Sequence, residues 1–167
     1  LGCADTNKTP EAIADRTREV LGLAADTFLQ GPDKVKTLCA TLENSGILVS
    51  RNSIVESSTT RPLSIDEFRG FTLIQAPYAL IFINTRDSKT AQLFSLSHEL
   101  GHVVLGQPGI SDHGESRDIE RWCNRFAASF LAPTPLVLST VSPSDSSFDS
   151  VKALSRKSGM SQEAALC

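Results

Sequence analysis

An α+β fold is predicted by a change of period along the chain. Apolar residues follow helical spacing up to residue 45, short strand-like runs fill 46–87, and helical spacing returns from Lys89. The strands form one block between helices rather than alternating with them, which separates this pattern from a doubly wound α/β sheet. One domain is expected over 1–167. Its parts are N-terminal helices (9–45), a small three-stranded mixed or antiparallel sheet (46–87), two motif-bearing helices (88–133) and a C-terminal helical tail (134–167).

Thr9-Pro10-Glu11 opens the first helix, with Thr as N-cap, Pro in the first turn and Glu near the positive helix end. The helix is expected to run from Glu11 to about Leu29, with a break near Gly22. Gly31-Pro32 restarts helix: Val35, Leu38, Cys39 and Leu42 lie at i, i+3, i+4 and i+7, and Asn44-Ser45-Gly46 stops it. Ile47–Ser50 and Ile54-Val55 then read as short strands. Phe71–Gln75 and Ala79–Asn84 read as stronger ones, joined by a turn at Ala76-Pro77-Tyr78. Ser57–Thr60 reads as a loop. A helix follows from Lys89 to about Leu105, stopped by Gly106-Gln107-Pro108-Gly109. Ser111–Ser116 reads as irregular, Arg117–Leu131 as helix, Ser139–Ser150 as a Ser-rich loop, and Phe148 to about Lys157 as a last helix.

The 167 residues, 40% hydrophobic and 21% charged, are ordinary for a globular chain with a core. A net charge of -3 gives no general attraction to nucleic acid, so no direct nucleic-acid partner is expected. Arg16/Arg18 and Arg156/Lys157 read as solvated charged faces. No apolar run is long enough to span a bilayer, and Leu1–Asn7 lacks the basic and apolar regions of a signal peptide. A cytoplasmic location is therefore expected, with no membrane partner. Leu1 at the start, and Cys167 inside what reads as a first helical turn, leave both ends open to further sequence. Cys3, Cys39, Cys123 and Cys167 form no C-x-x-C pair, and Cys39 and Cys123 fall on apolar helix faces, as free buried thiols do.

The chemistry lies in His98-Glu99-Leu100-Gly101-His102. Histidines at i and i+4 project from one side of a helix, one turn apart, where two imidazoles hold one ion. Zinc suits that pair, with manganese or another divalent metal as alternatives. Glu99, on the neighbouring face, is placed to act as general base. With His98 set at 0° and about 100° per residue, His102 falls at about 40°. Leu93, Leu96, Leu100, Val103 and Val104 fall between about 140° and 240°, opposite the histidines. Gly101 costs about 1 kcal/mol of helix propensity, which implies that something approaches the helix there.

A peptidase site needs a third protein ligand. His113, Glu115, Asp118 and Glu120 are the downstream candidates. Glu120 stands on a helix whose apolar stripe is Ile119, Cys123, Phe126 and Phe130, at the margin of that stripe, with Asn124 and Ala127 on its own side. His113 and Glu115 sit in a loop of Gly, Ser and Asp, a poorer platform. The residues favour Glu120, with His113 as the main rival. Tyr78, His113, Arg117 and Arg121 are available to stabilise an oxyanion; Tyr78 sits in a turn and reads as structural, and His113 lies in the loop between the two metal helices.

The segment Phe94–Gly106 resembles the active-site helix of the ImmA/IrrE metallopeptidase family. Glu120–Pro133, with Glu120, Asn124, Phe126-Ala127-Ala128 and a closing Pro133, resembles that family's second signature. Weaker likeness extends through Gly46-Ile47, Ile81–Asn84 and Ser158–Glu163. The resemblance implies a minimal thermolysin-like fold, His98, His102 and Glu120 as zinc ligands, and Glu99 as base. It further implies an extended peptide docking along the Ala79–Asn84 strand as a sheet edge. The implied substrate is a helix-turn-helix repressor, cut to release stress, DNA-damage or mobile-element genes. The alternative is a metal-containing, non-proteolytic module that binds a regulator or belongs to a toxin–antitoxin pair. Leu93, where relatives carry a basic residue, and Trp122-Cys123 depart from the pattern without touching the ligand set.

Overall fold

The computed structural model describes residues 8–55, 58–65, 69–108, 117–141 and 146–166. Helix α1 (Pro10–Val20) starts as expected: the Thr9 side chain accepts from the Ala12 N–H, with Pro10 in the first turn. It stops at the break expected near Gly22 and does not resume toward Leu29. Gly22 takes a left-handed φ of 69°, and the Leu23 N–H returns to the Arg18 carbonyl at 2.8 Å, which closes the helix. Arg18 is not a solvated residue either; it is 1% exposed. Its guanidinium donates to the main-chain carbonyls of Phe130, Ala24 and Thr27 at 2.8, 2.5 and 2.6 Å. The segment after α1 is thus shaped by an arginine rather than by helix bonds.

Helix α2 (Lys34–Asn44) is capped by Asp33, whose side chain accepts from the Lys36 N–H at 3.1 Å, and it buries Val35, Leu38, Cys39 and Leu42. Strands β1 (Leu48–Asn52), β4 (Gly70–Gln75) and β5 (Tyr78–Asn84) form a three-stranded sheet in the order β1-β5-β4. β1 runs parallel to β5 and β4 antiparallel to it, so the sheet is mixed. β5 is therefore central, which corrects the expectation that Ala79–Asn84 offers a free edge; β4 lies at the edge instead. The reason is visible in β5 itself, an almost unbroken apolar run whose Ile81 and Ile83 are fully buried. Strands β2 (Ile54–Val55) and β3 (Ser58–Pro62) make a separate two-stranded sheet. Ser58–Thr60, expected as loop, belongs to β3.

Helix α3 (Lys89–Leu105) runs from an N-cap at Ser88 to Gly106 in a left-handed cap, matching the expected bounds. Leu93, Leu96, Leu100, Val103 and Val104 are all buried, packed with Ile81, Ile83, Leu38 and Leu42 in the core. Helix α4 (Arg117–Leu131) also has its expected limits. Helix α5 (Thr134–Thr140), following Pro133, was not expected, whereas α6 (Ser147–Ser158) matches the helix expected over Phe148 to about Lys157 and overlaps only the end of the Ser-rich stretch. Ser146 caps α6 by accepting from the Asp149 N–H, so serine here opens a helix. A short 3-10 turn, η1 (Ala164–Leu166), follows. Cys39 and Cys123 are buried. Among the described residues, no helix is long and apolar enough to cross a membrane.

Candidate metal centre

α3 lies between the sheet and α4, and its two flanks carry different chemistry. Toward α4 it presents His98 and His102. Their rings are 5.0 Å apart between centroids and tilted by 59°. Their Nε2 atoms are 3.2 Å apart. The Glu120 carboxylate reaches across from α4, with Oε2 3.4 Å from His98 Nε2 and Oε1 3.5 Å from His102 Nε2. His98, His102 and Glu120 each offer a ligand atom, all within 4.8 Å of one another. Gly101 permits this closeness. A Cβ there would sit 3.2 Å from both Cys123 Sγ and Phe126 Cδ1, so α4 is what approaches the helix at that point.

These distances can be compared with an ion. A tetrahedral zinc about 2.0–2.1 Å from each ligand spaces its ligands about 3.3–3.4 Å apart. The 3.2 Å between the two Nε2 atoms is close to that edge length, while each histidine meets a different Glu120 oxygen, at 3.4 and 3.5 Å; with one atom from each residue the three lie within 4.8 Å. The donor set of two imidazoles and one carboxylate also suits zinc and leaves a fourth position for water.

The two histidines have different proton affinities. Burial, and then the neighbouring His98, push the His102 pKa down to about 4 against the opposing pull of Glu120. His102 is therefore neutral at pH 7, as a ligand must be. Burial also disfavours charge on His98, but the hydrogen bond to Glu120 and the charges of Glu99 and Glu120 outweigh it. They hold that pKa above the ordinary histidine value. Asn124 Oδ1 lies 2.9 Å from His98 Nδ1. A carbonyl oxygen accepts, so Nδ1 carries a proton and Nε2 is the nitrogen turned toward Glu120 and His102.

The neighbouring flank of α3, about 80° round from the histidines, faces β4. Glu99 is 2% exposed, and its Oε2 accepts from Thr72 Oγ1 at 2.8 Å. Asn124 and Thr72 are site residues that the sequence did not reveal. Asn124 lies four after Glu120, on the same helix face, and that spacing was a usable signal. Thr72 has none, since its contact with Glu99 spans 27 residues. Of the other named residues, Asp118, Arg117 and Arg121 lie in the first two turns of α4. Tyr78 is 68% exposed and lines a pocket with Val103 and Gly106 rather than with the histidines. His113 and Glu115 lie outside the described residues. One turn before His98, a pocket of about 360 Å³ is lined by Phe94, Asn124, Ala128 and Ala164 among others.

Among the described residues, six helices, a small mixed sheet and a His-His-Glu cluster between two of the helices define a minimal zincin-like α+β fold with a group that could hold a metal ion. Residues 42–166 match the IrrE N-terminal-like domain of peptidase family M78, and the chain belongs to that family. Among solved structures, a Mycobacterium tuberculosis transcriptional regulator aligns with a TM-score of 0.56 at 16% identity. The alignment covers 96% of this chain and 47% of the regulator, so the chain spans about half that protein's length. No curated protein matches.

Proposed function

We propose that the chain is a zinc-dependent endopeptidase whose ligands are His98, His102 and Glu120 and whose general base is Glu99. The observation that carries this reading is the convergence of three ligand atoms from two helices within 4.8 Å, beside a carboxylate one residue along α3. Zinc bound there supplies Lewis acidity and lowers the pKa of water to roughly 7. Asn124 fixes the His98 tautomer, and Glu120 is held at the wall of the site by α4. Glu99 takes the proton of the attacking water and returns it to the leaving amine, a contribution of about 10²–10⁴-fold. β4, the edge strand beside Glu99, offers main-chain groups to an extended peptide.

The substrate we propose is a helix-turn-helix repressor, met in the cytoplasm, with no direct contact between this chain and nucleic acid. Its support is the family membership and the likeness in fold to a transcriptional regulator. A non-proteolytic metal-binding module is the second reading, and the 2% exposure of Glu99 favours it. The test is incubation of the zinc-loaded chain with a helix-turn-helix repressor, comparing wild type with Glu99→Gln. Cleavage by wild type alone supports the peptidase. Binding without cleavage by both supports the module.

A further inference from the structure

Glu99 is a buried carboxylate, and β4 supplies its surroundings at two successive inward positions. Thr72 is 0% exposed, and its Oγ1 lies 2.8 Å from Glu99 Oε2 and 3.1 Å from the Glu99 main-chain oxygen. Gly70 lies two residues before it, on the same face of the strand. A Cβ at Gly70 would come within 2.9 Å of the Phe82 carbonyl oxygen, 3.1 Å of Ile83 Cδ1 and 3.3 Å of Glu99 Cγ. Gly70 has no left-handed φ that would require glycine. The close approach to β5 and to the Glu99 side chain is what leaves no room for a side chain there.

We propose that Gly70 and Thr72 form a seat that fixes the orientation of the Glu99 carboxylate, with Thr72 as a positioning residue. This rests on the reading of Glu99 as general base. Oε2 is held toward the sheet by the threonine hydroxyl. A glutamate has three side-chain torsions, each with several staggered settings. The bond to Thr72 and the contact at Gly70 select among them. Both contacts come from β4, the strand proposed to receive the peptide, so the base is registered against the same element that positions the substrate.

Three variants of the full zinc-loaded chain test this. Thr72→Val keeps the shape of the side chain and removes the hydroxyl, Thr72→Ser restores the hydroxyl, and Gly70→Ala presses on the Phe82 carbonyl oxygen and Ile83 Cδ1 of β5 as well as on Glu99 Cγ. Crystal structures are expected to show the Glu99 carboxylate turned in Thr72→Val and Gly70→Ala and in place in Thr72→Ser. Zinc content is expected to remain that of wild type in all three. With a mixture of fluorescence-quenched peptides as probe, kcat is expected to fall about 10–100-fold in Thr72→Val with KM unchanged, and to recover in Thr72→Ser. An unmoved Glu99 in Thr72→Val and Gly70→Ala overturns the seat, as does a kcat equal to wild type. If Thr72→Val does not fold, Gly70→Ala decides by the same two readouts. If wild type cuts no peptide, the peptidase reading fails while the crystal structures still decide the seat.

Discussion

Asn124 Oδ1 accepts from His98 Nδ1 at 2.9 Å, so a residue one turn along α4 from Glu120 orients a ligand that α3 provides. Partners of this kind fix the tautomer and direction of a metal-bound imidazole. Asn124→Ala is expected to weaken zinc binding about 10–100-fold without unfolding the chain. Competition against a chelator of known affinity measures it, with circular dichroism to show that the fold is retained.

Glu99→Gln keeps the size of the side chain and can still hydrogen bond to Thr72, but it cannot take a proton. Zinc content is expected to match wild type, and hydrolysis is expected to fall about 10²–10⁴-fold. Parallel metal analysis and peptide hydrolysis on the same preparation check both. A variant that cuts at the wild-type rate removes Glu99 from the reaction.

Arg18 tests what holds α1 to the end of α4. Its guanidinium satisfies the carbonyls of Phe130, Ala24 and Thr27, and its Cζ lies 5.7 Å from the Phe130 ring centroid. Arg18→Met fills similar volume with no donor, leaving those carbonyls to find new partners. A loss of about 3 kcal/mol is expected from urea unfolding. Arg18→Lys is expected to recover only part of it, because one ammonium cannot reproduce the planar fork.

Asp33 gives the acid limb of stability. The Lys36 N–H, and then Lys89 at 3.1 Å, hold its pKa below the usual aspartate value. A depressed folded-state pKa means that the unfolded chain binds the proton more readily. The stabilisation is therefore complete above about pH 5 and is lost as pH falls through 4 toward the folded-state value. The urea midpoint of Asp33→Asn is expected to approach that of wild type across this range, because the cap survives while the charge is absent. A constant difference down to pH 2 would contradict it.

Much of this structure was legible because the relevant signals are local. Ser88 and Gly106 bound α3, the apolar period fixes its buried side, and the i, i+4 spacing brings His98 and His102 together. Glu120 was reachable from its place on the α4 wheel. What escaped depends on distant partners. The central position of β5 comes from its pairing with β1, about thirty residues earlier in the chain. Ser58–Thr60 looked like a loop because polar residues also pair in a small sheet. The residues after Gly22 looked helical because nothing local shows that Arg18 claims the carbonyls of Ala24 and Thr27. Thr72 was invisible for the same reason: a strand hydroxyl gains its meaning only from the helix packed on it.

Metal stoichiometry measured together with anomalous scattering at the zinc edge bears most directly on the account. The wild-type chain is expected to hold one zinc, with an anomalous peak bounded by His98 Nε2, His102 Nε2 and the Glu120 carboxylate. His98→Ala, His102→Ala and Glu120→Ala are each expected to lose it. A wild-type chain that takes up no zinc, or a Glu120→Ala chain that binds it as tightly as wild type, would contradict the account.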